Sequence, residues 1–310
     1  MANGMHEGQI AISTRQLKDV ALGKSWASAY AWPAIRKFIV TKPLGTIGGA
    51  IILVMAMTAL FADTLAPYDP YEISQRLQFN APSMQHWLGT DEFGRDMLTR
   101  LIYGARIALF IGLVAAFVGS TAGAILGVMS AYLGGKVDLI MQRIMDVMLA
   151  FPLLILALAI VSVLGRSLPN VVLAIAIPII PRTTRIVRSS ALSVKENVFV
   201  EAARAVGSQH WRVMARHILP NVMAPYLIML TAQLGNAILV EASLSFLGLG
   251  TAEPTPSWGL MLSGSAASYA EKAPWVAIFP GLAITLAVFG FNLFGDSLRD
   301  ALDPKLRHRT

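Results

Sequence analysis

The chain has 310 residues, 55% of them hydrophobic and only 14% charged, against roughly 25% charged in an ordinary soluble domain. So much apolar surface is predicted to lie in a bilayer, and the net charge of +7 fits loops that face anionic lipid better than a nucleic-acid surface. The absence of cysteine excludes disulfides, thiolate metal sites and cysteine nucleophiles.

In chain order, residues 1–42 are polar and basic, with no short apolar core of the kind that precedes a cleavage site, so no cleavable signal peptide is expected. Residues 43–62 then run for 20 residues without a charge, long enough to cross about 30 Å of hydrocarbon. Further spans are predicted at about 107–132, 147–165, 168–187, 221–245 and 273–295. The expected organisation is an N-terminal segment 1–42, a transmembrane domain 43–296 and a tail 297–310. The fourth span is short of apolar residues, and Arg182, Arg185 and Arg188 follow at spacing three, so their stems are expected to lie along the helix with their heads at the interface. Pro178 and Pro181 are expected to kink it. With six spans, 19 of the 25 Lys and Arg fall on the side of the two termini, which the positive-inside rule assigns to the cytoplasm.

Between the first two spans, residues 63–106 are too long for a turn. Thr90 or Asp91 is a candidate cap for a short helix there, with Asp91, Arg95 and Asp96 close behind. Span two carries Ala115, Gly119, Gly123, Gly127 and Ala131 at spacing four, a stripe that lets a helix approach closely, either within the bundle or from a second subunit. Residues 249–272 contain Pro254, Pro256 and Trp258, and are expected to form an ordered, non-helical cover with an interfacial aromatic. Glu241 is an ionisable group within a span. It is either part of the wall of a polar path or a hydrogen-bonded anchor for the turn that holds Ser243 and Ser245.

The stretch from 193 to 220 is the most informative. Phe199, Ala202, Ala203 and Val206 fall at i, i+3, i+4 and i+7 and predict a short amphipathic helix with Glu201 outside its apolar face. Gly207 is placed to end that helix. Ser208 is placed to cap a second one, with Trp211, Met214, Ala215 and Ile218 as its apolar face and Pro220 at its end. No phosphate loop is present, since the nearest approach, Gly134-Gly135-Lys136-Val137, has Ser130 where that motif needs glycine and Val137 where it needs Ser or Thr. The five histidines show no metal-ligand spacing, and no catalytic residues or metal site are expected.

Glu201-Ala202-Ala203, then Gly207, then Leu219-Pro220 at these offsets resemble the cytoplasmic loop of importer-type ABC permeases, which docks in a cleft of the ATPase subunit. His217 stands where the peptide branch of that family usually has histidine. Leu88-Gly89-Thr90-Asp91, Gly94-Arg95-Asp96, the Ser243–Gly250 string and Gly295–Pro304 are similar to the smaller, C-type permease of dipeptide, oligopeptide and nickel importers. The resemblance implies an all-α, six-span type I importer permease fold in the bacterial cytoplasmic membrane, with both termini in the cytoplasm. It implies a non-catalytic chain with no cofactor of its own, a homologous second permease, two ABC ATPases that bind ATP and Mg, and an external solute-binding protein. Glu201, Ala202, Ala203, Gly207, Leu219 and Pro220 would couple to the ATPase, while Asp91, Arg95, Asp96 and Trp258 would contact the binding protein. Dipeptides or oligopeptides are the expected cargo, with nickel chelates, opines or sugar conjugates as alternatives. A secondary transporter or a channel is the alternative of another class.

Overall fold

The computed structural model describes residues 32–263, 269 and 271–302, so most of the predicted N-terminal segment and the end of the tail lie outside the described residues. Among these the regular structure is helical apart from one isolated bridge between Thr90 and Asp96. In chain order the helices are α1 (Trp32–Thr41), α2 (Pro43–Leu60), α3 (Ala62–Leu65), α4 (Met97–Leu133), α5 (Gly135–Leu149), α6 (Leu153–Leu164), α7 (Leu168–Lys195), α8 (Val198–Ala205), α9 (His210–Val213), α10 (Met223–Phe246), α11 (Trp258–Leu262) and α12 (Trp275–Leu302). Five are long and apolar enough to cross a membrane: α2, α4, α7, the continuous run from His210 to Phe246, and α12. The pair α5 and α6, which meet at 92°, reaches the length and apolar character of a span only when its two helices are taken together.

That bend corrects the third predicted span. Residues 147–165 are not one helix, because Pro152 offers no N–H and pushes Phe151 out of helical geometry. The 12 residues of α6 rise only about 18 Å, so α6 cannot cross alone. A second correction concerns α4, which starts ten residues before the predicted span. Its cap is Asp96, not Thr90 or Asp91: Asp96 Oδ2 accepts from the Thr99 N–H at 2.8 Å. The 37 residues of α4 reach about 55 Å, well beyond the hydrocarbon. At the other end of the chain, α12 continues helical to Leu302 and includes the beginning of the predicted tail.

The small-residue stripe of α4 faces α7, within the same bundle. A methyl group on Gly119 would lie 2.5 Å from the Ala176 carbonyl oxygen, on Gly123 2.8 Å from that of Ile180, and on Gly127 2.7 Å from that of Thr184. Lipid gives helices no hydrophobic reason to associate, so backbone contact of this closeness supplies the dispersion that holds the two together. α7 runs as one helix through Pro178 and Pro181. α2 packs against α12 in the same manner, with Gly48 against the Gly290 carbonyl, and Lys42 closes that pair by an ion pair to Asp300 at 2.8 Å.

Candidate functional site

The stretch predicted to form a corner does so. α8 ends in a Schellman arrangement: Ser208 N–H donates to the Ala203 carbonyl at 3.0 Å and Gly207 N–H to that of Arg204 at 2.9 Å. Gly207 takes φ +77°, a left-handed conformation that costs a β-branched residue dearly. The second arm departs from expectation. Its N-cap is Gln209, not Ser208, and Pro220 does not end it. A π turn, Met214–Ile218, and a 3-10 turn, Leu219–Val222, carry the chain past the proline and directly into α10. The wider turn accommodates the missing N–H of Pro220, and Asn221 Nδ2 donates to the His217 carbonyl at 2.6 Å.

The buried faces also differ from those predicted. In α8 the inward residues are Val200 and Ala203, while Val198, Phe199 and Val206 are exposed, Val206 at 82%. In the second arm Val213 and Ile218 are buried, whereas Trp211 is 64% exposed and Ala215 is exposed. The corner thus has apolar residues on two sides, one against the bundle and one presented outward. Periodicity finds a face and is blind to which face has a neighbour. Glu201 and Ala202 stand on the presented side, and among the described residues Glu201 makes no ion pair.

Tyr132, near the end of α4, fixes the corner to the bundle, a role the sequence does not signal. The Arg204 guanidinium sits 4.7 Å from its ring centroid, and its hydroxyl lies 2.9 Å from His210 Nδ1. One aromatic ring therefore holds both arms. Around it α4, α5 and α7 are tied by polar contacts. Arg188 makes a two-point ion pair with Asp138, Asp138 also accepts from Ser130, and Lys195 Nζ donates to the Ala131 carbonyl at 3.0 Å. Arg185 pairs with Asp146. Two of the three arginines read as interfacial are thus partnered by carboxylates of α5.

At the opposite end, the residues expected to meet a binding protein are interior. Asp91, Arg95, Asp96 and Trp258 are all buried, which corrects their reading as a presented surface. Asp91 Oδ1 accepts from the N–H groups of Phe93 and Arg95 at 2.9 Å, and Oδ2 accepts from Arg95 Nε at 2.6 Å. Asp96 lies 2.9 Å from His86 Nδ1. Trp258 donates to the Leu101 carbonyl at 3.0 Å and opens α11, so residues 249–272 are not wholly non-helical. The long connection 63–96 is held against α4 by Arg100, which donates to the Pro70 carbonyl at 3.2 Å, and against α12 by Trp275, whose Nε1 donates to the Thr90 carbonyl at 3.1 Å. Burial and the charge of Asp91 push the nearby Glu92 carboxyl above its usual range, while hydrogen bonds from Arg106 and Tyr103 hold Asp63 below it.

Glu241 is buried in α10 and accepts from Ser245 Oγ at 2.8 Å and Ser257 Oγ at 2.9 Å. Ser243 is half-buried and bonds to its own helix, at the Leu239 carbonyl. Ser257, unforeseen from the sequence, ties the segment that leads into α11 back to α10. It lies there closely, since a methyl group on Gly259 would be 2.1 Å from the Ala242 carbonyl.

A multi-pass bundle with closely packed glycine seams and a helical corner projecting from one end is the architecture of a membrane permease. Residues 119–308 match the family of the binding-protein-dependent transport system inner membrane component, and residues 32–82 match the N-terminal TM domain of oligopeptide transport permease C. The chain belongs to this family of binding-protein-dependent transport permeases and is a multi-pass protein of the cytoplasmic membrane. It is 44% identical to the dipeptide transport system permease protein DppC of Alkalihalophilus pseudofirmus, over 89% of this chain and 90% of that one. It is 45% identical to the glutathione transport system permease protein GsiD of Escherichia coli, over 83% and 84%. In fold it is similar to a chain of the inward-facing MetNI methionine ABC transporter, with a TM-score of 0.54 at 18% identity, over 67% of this chain and 98% of that one.

Proposed function

We propose that the chain is the permease subunit of an ATP-driven importer of short peptides, and that the Glu201 corner is where an ABC ATPase pushes on it. The observation that carries this reading is the outward side of the corner. Val198, Phe199, Val206 and Trp211 are exposed around a carboxylate that makes no ion pair among the described residues, on a segment whose other side is anchored in the bundle. Fully covering one such side chain contributes about 1.5–3 kcal/mol, and a basic residue of the ATPase would pair with Glu201. Relatives that transport dipeptides and glutathione support peptides as cargo.

In this reading two ATPases bind ATP and Mg, a homologous second permease completes the path, and an external solute-binding protein delivers cargo. The excess of Lys and Arg on the corner side supports a cytoplasmic corner and cytoplasmic termini. Closure of the ATPases displaces the corner. Because α9 is continuous with α10, and Tyr132 locks both arms to α4, the displacement turns α4, α7 and α10 together rather than bending a loop. Glu201→Lys tests the contact: the variant permease is expected to assemble its transmembrane part, lose co-purifying ATPase, and drop ATP-driven peptide uptake in vesicles at least tenfold, since breaking a partly buried pair from one side costs several kcal/mol. Unchanged uptake would overturn the assignment.

A further inference from the structure

A cavity of about 680 Å³ opens between α7, α10 and α12, towards the end that carries the corner. Its lining includes Arg182 from α7, Gln233 and Asn236 from α10, and Asp296 and Arg299 from α12. Another opening, of about 550 Å³ beside α2, is lined almost entirely by apolar side chains. The first is different in kind, since it carries charges of both signs, and among the described residues Arg182, Asp296 and Arg299 make no ion pair.

The amides are the decisive feature. Gln233 is 2% exposed and sits in the middle of an apolar span. Its Oε1 accepts from Asn236 Nδ2 at 3.1 Å. Whichever way round the two amides are assigned, one bond between them leaves one NH2 group and one carbonyl oxygen without a partner among the described residues. Asn236 is exposed to the opening, and a donor and an acceptor set side by side there match the C=O and N–H of a peptide group.

We propose that this cavity binds the transported peptide itself: Gln233 and Asn236 take a main-chain peptide group, while Asp296 takes the terminal ammonium and Arg182 or Arg299 the carboxylate. The proposal rests on the peptide-importer reading and adds selectivity at the permease, beyond what a binding protein delivers. Its volume lies within the range of about 300–1,000 Å³ common to small-ligand sites. A zwitterionic phospholipid headgroup carries the same pair of charges, but the paired amides favour a molecule with peptide groups at this depth.

The test uses the assembled importer in proteoliposomes, with a tripeptide that has free termini and a diazirine side chain, photolysed during ATP-driven uptake. Labels are expected on α10 and α12 around Asn236 and Asp296. Asn236→Leu, in complexes that still co-purify with their partners, is expected to reduce uptake at limiting peptide about tenfold, and Asn236→Gln to restore most of it. Asp296→Asn is expected to affect the free tripeptide more than its N-acetylated form. Full uptake by Asn236→Leu, or peptide labels confined elsewhere while a diazirine phospholipid labels the cavity, would overturn the proposal. If the wild-type importer moves another solute with ATP but no peptide, the peptide reading fails with it. If peptide moves but never labels the cavity, only this inference fails.

Discussion

Gly119→Ala separates the two effects that a glycine in a spanning helix invites. By intrinsic helix propensity alone, the change stabilises a helix by roughly 1 kcal/mol. At Gly119, however, the new methyl would stand 2.5 Å from the Ala176 carbonyl oxygen and 2.9 Å from Ile179 Cβ. The first of these atoms is backbone, so it cannot swing away as a flexible side chain would. α4 and α7 must separate instead, and contacts along the seam from Ala115 to Ala131 weaken together. Overpacking of this kind costs about 1–3 kcal/mol, which cancels or exceeds the propensity gain, so the net effect is a loss of up to about 2 kcal/mol. Gly281 in α12 supplies the opposite case, because nothing among the described residues lies within 4 Å of its added methyl, and Gly281→Ala should gain up to about 1 kcal/mol. Thermal unfolding of the detergent-solubilised protein, compared at one heating rate, should move the two midpoints in opposite directions. If Gly119→Ala raises the midpoint as much as Gly281→Ala does, the seam does not hold α4 against α7.

Tyr132→Phe keeps the ring beneath Arg204 and removes only the contact to His210, worth about 0.5–1.5 kcal/mol, so transport should largely persist. Tyr132→Leu removes both contacts and should lower the peptide moved per ATP hydrolysed, as measured in parallel uptake and hydrolysis assays; unchanged stoichiometry would mean the ring is not part of the linkage. Glu241→Leu strands the Ser245 and Ser257 hydroxyls at a cost of about 1–3 kcal/mol, whereas Glu241→Gln retains an acceptor and should lose less; the order of their midpoints checks this. Asp96→Ala removes both a helix cap, worth about 1 kcal/mol, and the partner of His86, so protease cleavage within 63–96 should accelerate.

The parts of this structure legible in the sequence are those set by local pattern. The apolar runs mark the spans, the four-residue spacing of Gly119, Gly123 and Gly127 marks a close helix contact, and Gly207 marks the corner. What escaped depended on neighbours far along the chain. Residues 198–206 have apolar side chains on both sides of one short helix, and only the position of α4 and α7 decides that Val200 and Ala203 go inward. Pro152 broke an uninterrupted apolar run because a hydropathy window counts residues and ignores a missing N–H. Asp91, Arg95 and Asp96 look like surface charges until the folded connection 63–96 is seen to bury them against one another. Ser257 reaches Glu241 from a different segment, and no spacing rule links the two.

The absence of cysteine from the chain makes one measurement especially direct. Val206→Cys places a single thiol on the outward side of the corner, and Val200→Cys places one on its buried side. In the permease without its ATPases, a membrane-impermeant maleimide supplied from the cytoplasmic face should label the first and spare the second. In the assembled importer the first should become protected as well, and its protection should fall away with Glu201→Lys. Equal labelling of Val206→Cys with and without the ATPases, or labelling only from the opposite face of the membrane, would contradict the claim that force enters the bilayer through this corner.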